Sequence, residues 1–230
     1  MKRFLRFLLK LFLWFIGLSV GSVILFRFVP VPVTPLMLIR CTGQLFSGKE
    51  LRMQKSWKSM EDISPSLPLA VIAAEDQKFT DHFGFDMQAI EKAQQYNERK
   101  KGKRIRGAST ITQQTAKNVF LWQGTGWTRY VRKGFEVYFT FLLEVFWSKE
   151  RIMQVYLNVA EWGDGIYGAE AAAKKYFGKS AKKLSDAESA LMAAVLPNPR
   201  KWSPAQPTAY IWRRQSWILT NMYRIEKPEW

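Results

Sequence analysis

The stretch AVIAAEDQKF, Ala70 to Phe79, runs five small or aliphatic residues directly into two adjacent carboxylates, Glu75 and Asp76. With the LPL that precedes it, the segment spaces apolar residues three and four apart, the period of a helix with a buried face. The same period recurs in TITQQTAKNVFL (110–121), TRYVRKGFEVYFTFLLEVFW (128–147), KERIMQVYLNVAEW (149–162), GAEAAAKKYF (168–177) and DAESALMAAVL (186–196). Strand signals are weak, and Asp164-Gly165 reads as a connection between helices rather than a hairpin turn. The expected fold is therefore mainly α. Thr110 with Gln113, Ser148 with Arg151 and Ser185 with Glu188 supply helix starts, and Pro197, Pro199 and Pro204 close the last core helix.

A carboxylate at the end of a buried helix loses water on one side. That favours its protonated form and brings its pKa toward neutrality, which suits a general base. The plainer reading pairs Glu75 or Asp76 with Lys78 on the surface. Periodicity alone leaves both open.

The 230 residues carry 35 Lys and Arg against 19 Asp and Glu, a formal net charge of +16. Such an excess points to polyanionic partners: nucleic acid, anionic lipid head groups or phosphorylated substrates. No Gly-rich phosphate loop, zinc finger or RNP-like aromatic motif supports nucleic acid. One cysteine, Cys41, permits no internal disulfide, and one histidine, His82, leaves no Cys/His set for zinc. Oxygen-liganded Mg²⁺ or Mn²⁺ is compatible with the carboxylates. The charge run NERKKGKRIR (97–106) reads as a mobile solvated loop.

The N-terminus, MKRFLRFLLKLFLWFIGLSVGSVILFRFVPVPVTP, has sixteen uncharged residues between Lys10 and Arg27. Sixteen residues rise ~24 Å, short of a ~30 Å hydrocarbon core, but extension to residues 4–28 suffices if Arg6 and Lys10 snorkel. Lys2, Arg3, Arg6 and Lys10 keep that end cytoplasmic by the positive-inside tendency and send the remainder across the membrane. A cleaved signal peptide competes with this reading, yet no small-x-small site follows the apolar core. Val29 to Pro35, with alternating prolines, reads as an extended linker. Residues 1–35 are thus expected to be tip, anchor and linker, and 36–230 the folded domain.

Further along come EDQKFTDHFGFD (75–86), RGASTITQQTAKNVFL (106–121), RKGFE (132–136), KERIMQVYLN (149–158) and GIYGAEAAAKKYFGK (165–179). In this order they resemble the five motifs of glycosyltransferase family 51, the peptidoglycan glycosyltransferases that polymerise lipid II. The resemblance spans roughly residues 60–205 in a chain that leaves no room for a transpeptidase domain. LNVAEWGDGIYG and AAVLPNPRKWSP strengthen the match to the monofunctional Gram-negative branch. It implies a lysozyme-like helical domain with a large head lobe and a small membrane-facing jaw lobe, on one N-terminal transmembrane helix. It also implies a periplasmic domain on the bacterial inner membrane, with lipid II and lipid-linked glycan as substrates. Other cell-wall synthesis or division proteins are expected among its partners.

By that resemblance Glu75 is the base that deprotonates the attacking sugar hydroxyl, and Asp76 braces the loop or the second acid. A pyrophosphate leaving group needs neutralisation more than protonation, so cations belong near the second acid. Lys117, Arg132 and Lys133 lie in the motifs assigned to the donor side, and Glu136 matches the second essential carboxylate. Glu136 either orients the pyrophosphate through a divalent ion (Mg²⁺ or Mn²⁺) or stabilises charge at the anomeric carbon. The plainer reading of Arg132 and Glu136 is an ordinary i to i+4 surface pair.

Ser109, Thr112, Gln113, Gln114 and Asn118 form a polar band around Lys117 suited to sugar and phosphate, with Thr110 and Gln113 also fitting a cap. His82 either lines the donor site or is structural. Two departures stand out: Gly107-Ala108 where many members have two glycines, and Gln154 where bifunctional members often carry Glu. The aromatic stretch FLWQGTGW (120–127) is either a bilayer contact or a packed loop, and WRRQSWILTNMYR (212–224) either a packed or a membrane-surface helix. Two other functions stay in view: a membrane-anchored muramidase or lytic transglycosylase, and a non-enzymatic basic membrane or cell-wall binding module.

Overall fold

The structure, a computed structural model, describes residues 1–48, 50–100 and 107–230. Ten α-helices are formed among the described residues: α1 Lys2–Phe28, α2 Pro35–Phe46, α3 Ser66–Glu75, α4 Met87–Arg99, α5 Ile111–Phe120, α6 Thr128–Phe146, α7 Lys149–Val159, α8 Ala169–Phe177, α9 Asp186–Val195 and α10 Ala209–Met222. Three short strands accompany them: β1 Gln54–Lys55, β2 Glu161–Gly163 and β3 Ile166–Tyr167. Their order is β1-β3-β2, with β1 parallel and β2 antiparallel to β3.

Asp164-Gly165 therefore turns a small hairpin, with Gly165 at φ 72°, and the expectation of a helix-to-helix connection is corrected. Strands of two and three residues are too short to show alternation.

The mainly α expectation holds, with shifts at helix ends. The run from Leu67 stays helical only to Glu75; Asp76 caps α3 at φ −160°, so DQKF leaves the helix. Thr110–Gln113 and Ser185–Glu188 form complete capping boxes, and Ser148 accepts from the Arg151 amide. Helices α2 and α4 have no counterpart in the sequence reading. Asn97–Arg99 is the end of α4 rather than loop, and 101–106 of the charge run lies outside the described residues.

α3, α9 and α10 pack together in one group. α5 lies against both α6 and α7, and α1 docks on α6. α6 thus reaches from the core to the anchor, as expected for a small membrane-side lobe. α10 packs through Ile211, Gln215, Ile218 and Met222, while Tyr210, Trp212 and Trp217 stay about half exposed.

α1 is apolar and, at 27 residues, long enough to cross a membrane, and only Ser19 and Val23 are buried in it. Its length and composition suit a membrane anchor. Its second half is fastened to the domain: Ser19 Oγ lies 2.7 Å from the Tyr138 hydroxyl, Phe15 meets the Phe135 ring edge-on, and Trp147 Nε1 donates to Val23 O at 2.8 Å. Arg151 donates to Phe26 O and Val29 O at the helix C-terminus, where the backbone dipole favours a cation. Lys55 reaches the carbonyls of Val31 and Pro32. The segment after α1 is consequently not a free linker: Val31 and Thr34 are buried, and Pro35 is the first residue of α2 with Thr34 as its cap.

Candidate active site

Glu75 is the last residue of α3, so its side chain emerges where the buried helix meets open cleft. Gln114 Nε2 donates to Glu75 Oε2 at 3.0 Å, and Arg214 Nη2 of α10 stands 3.4 Å from Oε1. Burial pushes the Glu75 pKa up; the Gln114 hydrogen bond, Arg214 and Lys117 oppose that shift, and Asp76 adds to it. Lys78 binds Gln88 instead, so the surface-pair reading fails.

Asp76 is buried and faces the other way. Its Oδ2 accepts from the Ile111 amide at the start of α5 at 3.0 Å, and its Oδ1 lies 2.9 Å from His82 Nε2. Asp76 therefore braces the loop, and His82 takes the structural of its two readings. Gly84, at φ 73°, completes this corner: a Cβ there would meet Thr140 Cγ2 at 2.7 Å, while its carbonyl accepts from the Thr110 hydroxyl. Asp76→Ala strands the buried Ile111 amide and the imidazole, so a loss of about 2–4 kcal/mol in chemical unfolding is expected.

On α6, Glu136 is only 3% exposed. Arg132 Nη1 donates to its Oε2 at 2.8 Å and Lys133 Nζ to its Oε1 at 2.5 Å. Burial excludes the plain surface ion pair for Glu136. Lys117, one helix away on α5, has no hydrogen-bond or ion-pair partner among the described residues. Burial lowers its pKa, Glu136 and Glu75 pull it back up, and Arg132 and Lys133 lower it further. The ammonium sits where an arriving anion would relieve both desolvation and like-charge repulsion.

These groups line adjoining cavities. One, of about 510 Å³, has Lys117, Asn118 and Arg132 in its wall together with Gln114, Tyr156 and Arg40. A second, of about 850 Å³, is lined by Glu75, Ser109, Tyr210, Arg213, Arg214 and Trp217. Gln114 and Pro197 belong to both walls, so Gln114 stands at the boundary between base and cations.

The polar band is thus divided. Gln114 and Asn118 face the cationic cavity, Ser109 lies on the Glu75 side, and Thr112 and Gln113 are buried, binding Glu144 and capping α5. Lys133 meets Glu136 but does not line the cationic cavity. Gln154 binds Arg151 and accepts from Asn158, in keeping with a structural role.

Arg214, Tyr156 and Arg40 had not been singled out. Arg214 is 139 positions from Glu75 and reaches it only through the packing of α10 on α3, which no local pattern announces. Tyr156 sits within KERIMQVYLN, but its ring reads as core by period alone.

A divalent ion at Glu136 would meet a carboxylate whose two oxygens already hold Arg132 and Lys133. Among the described residues no three His, Cys, Asp or Glu side chains come together. These residues form no protein-held site for Mg²⁺ or Mn²⁺, and an ion beside Glu136 would rest chiefly on the substrate's phosphates.

Comparison with known proteins sets this geometry among the enzymes of glycosyl transfer. The chain belongs to the transglycosylase family, whose model matches residues 43–223. It is similar to a biosynthetic peptidoglycan transglycosylase of Bacteroides thetaiotaomicron, 54% identical over 98% of this chain and 89% of the relative. Relatives of the same name from Pseudomonas entomophila and Xanthomonas campestris pv. campestris are each 50% identical, over 98% and 99% of this chain and 94% and 91% of their own lengths. Membership of this family sets aside the non-enzymatic binding module.

Proposed function

We propose that this chain polymerises lipid II, with Glu75 as the base and the Lys117–Arg132 cavity as the seat of the leaving pyrophosphate. The observation that carries the reading is the division at Gln114: the desolvated Glu75 on one side, and on the other Lys117, held by no carboxylate among the described residues, beside the Glu136-bound Arg132. Glu75 removes the proton from the 4-hydroxyl of the acceptor sugar as that oxygen bonds to the donor's anomeric carbon. The bond from that carbon to phosphate breaks on the opposite face, giving an inverted β-1,4 linkage. Polyprenyl pyrophosphate leaves as an anion, met by Lys117 and Arg132, while Glu136 holds Arg132 and Lys133 in place. The proton passes from Glu75 to water. Ser109 on the acceptor side and Asn118 on the donor side supply neutral sugar or phosphate contacts.

The proposed arrangement at the membrane follows from α1. Its basic first turns stay in the cytoplasm, and residues 36–230 work on the periplasmic face of the inner membrane. α6 carries an exposed apolar stripe at four-residue spacing, Val137, Phe141 and Val145, joined by Phe83 against Phe141, and Trp127 is largely exposed nearby in sequence. We assign this face, beside α1, to the lipid surface, so that the polyprenyl tails stay in the bilayer while their pyrophosphates enter the cleft.

The competing activity is cleavage of finished glycan by a muramidase or lytic transglycosylase. Cations at the second acid favour synthesis, because glycan cleavage presents no pyrophosphate to neutralise. Detergent-solubilised protein is expected to convert labelled lipid II into long glycan and to leave preformed glycan strands at their original length. Shortening of preformed strands with no polymer from lipid II overturns the proposal.

A further inference from the structure

The boundary residue Gln114 has both ends of its amide engaged. Its Nε2 faces Glu75 Oε2 at 3.0 Å, and its Oε1 faces the Tyr156 hydroxyl at 3.4 Å. Tyr156 comes from α7, is 1% exposed, and its hydroxyl has no other hydrogen-bond partner among the described residues. An ionised Glu75 only accepts hydrogen bonds, so the amide must offer it NH₂ and turn its carbonyl to the phenol, which must donate. We propose that Tyr156 is a positioning residue that locks the Gln114 amide with its NH₂ toward Glu75, keeping the base in its ionised, hydrogen-bonded form.

The lock works in one direction. When Glu75 is protonated it becomes a donor, and the better partner is then the carbonyl end of Gln114. Turning the amide over would make the phenol oxygen accept from the NH₂ and leave the buried phenol O–H with no acceptor among the described residues. The phenol does not shed that proton by ionising, since burial and then the charges of Glu75 and Asp76 push its pKa well up. Tyr156 thereby opposes the rearrangement that would stabilise a protonated base.

Other charges face Glu75 as well: Asp76 beside it, Lys117 on α5, and Arg214 on α10. None of them touches the Gln114 carbonyl, so none substitutes for the phenol as the lock.

The inference rests on Glu75 being the base of lipid II polymerisation, and its test separates the two. Tyr156→Phe keeps the ring and removes only the hydroxyl. The acid limb of the pH–rate profile on lipid II is expected to move to higher pH in this variant. Turnover should fall on the order of tenfold on the acid side and much less on the plateau, with an unchanged melting temperature. In a Gln114→Ala background the same substitution should have no further effect on the limb, because its route to Glu75 is gone.

An unshifted limb in Tyr156→Phe, beside a wild type that polymerises lipid II, overturns the lock alone. An equal further shift in the Gln114→Ala background shows that the phenol acts by another route and also overturns it. A wild type inactive on lipid II overturns both the lock and the function on which it rests.

Discussion

Glu75→Gln is expected to lose nearly all polymerisation of lipid II, a fall of about a hundred- to ten-thousandfold, the range a positioned general base contributes. The amide is isosteric, still bonds to Gln114 after a flip, and removes the cost of keeping a carboxylate at the end of a buried helix. Melting temperature should therefore stay level or rise slightly, which separates lost chemistry from lost fold. Near wild-type turnover in this variant removes Glu75 from the mechanism. If turnover and melting temperature fall together, the carboxylate's contacts with Gln114 and Arg214 are structural instead.

Lys117→Ala carries the second large effect. Among the described residues Lys117 is the one cavity-lining cation of the donor cluster that no carboxylate holds: Arg132 and Lys133 are both bound to Glu136. A pyrophosphate developing charge in a partly desolvated cavity depends most on such an unspent ammonium, so turnover should fall on the order of a hundredfold or more. The loss should appear with lipid-linked glycan as donor, and binding of polyprenyl pyrophosphate should weaken in parallel. Folding should not suffer much, because the cost of desolvating the ammonium, the largest influence on it, goes with the side chain. Undiminished binding of polyprenyl pyrophosphate to Lys117→Ala places the leaving group elsewhere.

The contrast between these two sites shows what the sequence makes legible. Helix periodicity, capping boxes and the apolar N-terminal run are local, and α1, α3, α5 to α9 follow from them with ends shifted by a few residues. The exit of DQKF from α3 was hidden because Gln77 and Lys78 continue an acceptable helical pattern. What ends the helix is tertiary: Asp76 reaching the Ile111 amide, 35 residues away. The strands escaped for a different reason, since pairs of two and three residues carry no readable alternation.

The site divides in the same way. The acids and cations that lie in motifs are legible, and the structure brings Glu75, Gln114, Lys117, Asn118 and Arg132 to two adjoining cavities, with Glu136 buried against Arg132. Arg214 and Arg40 were not named, because their places depend on how α10 and α2 pack. Nor could the sequence distinguish a buried Glu136 from a surface pair, since i to i+4 spacing is the same in both. Burial made the difference, and burial is a property of the assembled fold.

The most direct test of the account is the stoichiometry of lipid II turnover by the full chain in detergent. Labelled glycan linkages and released polyprenyl pyrophosphate would be counted in the same reaction. One polyprenyl pyrophosphate is expected for every new linkage, with the new bond in the β configuration. Linkages broken in preformed glycan, with no pyrophosphate released from lipid II, would contradict it.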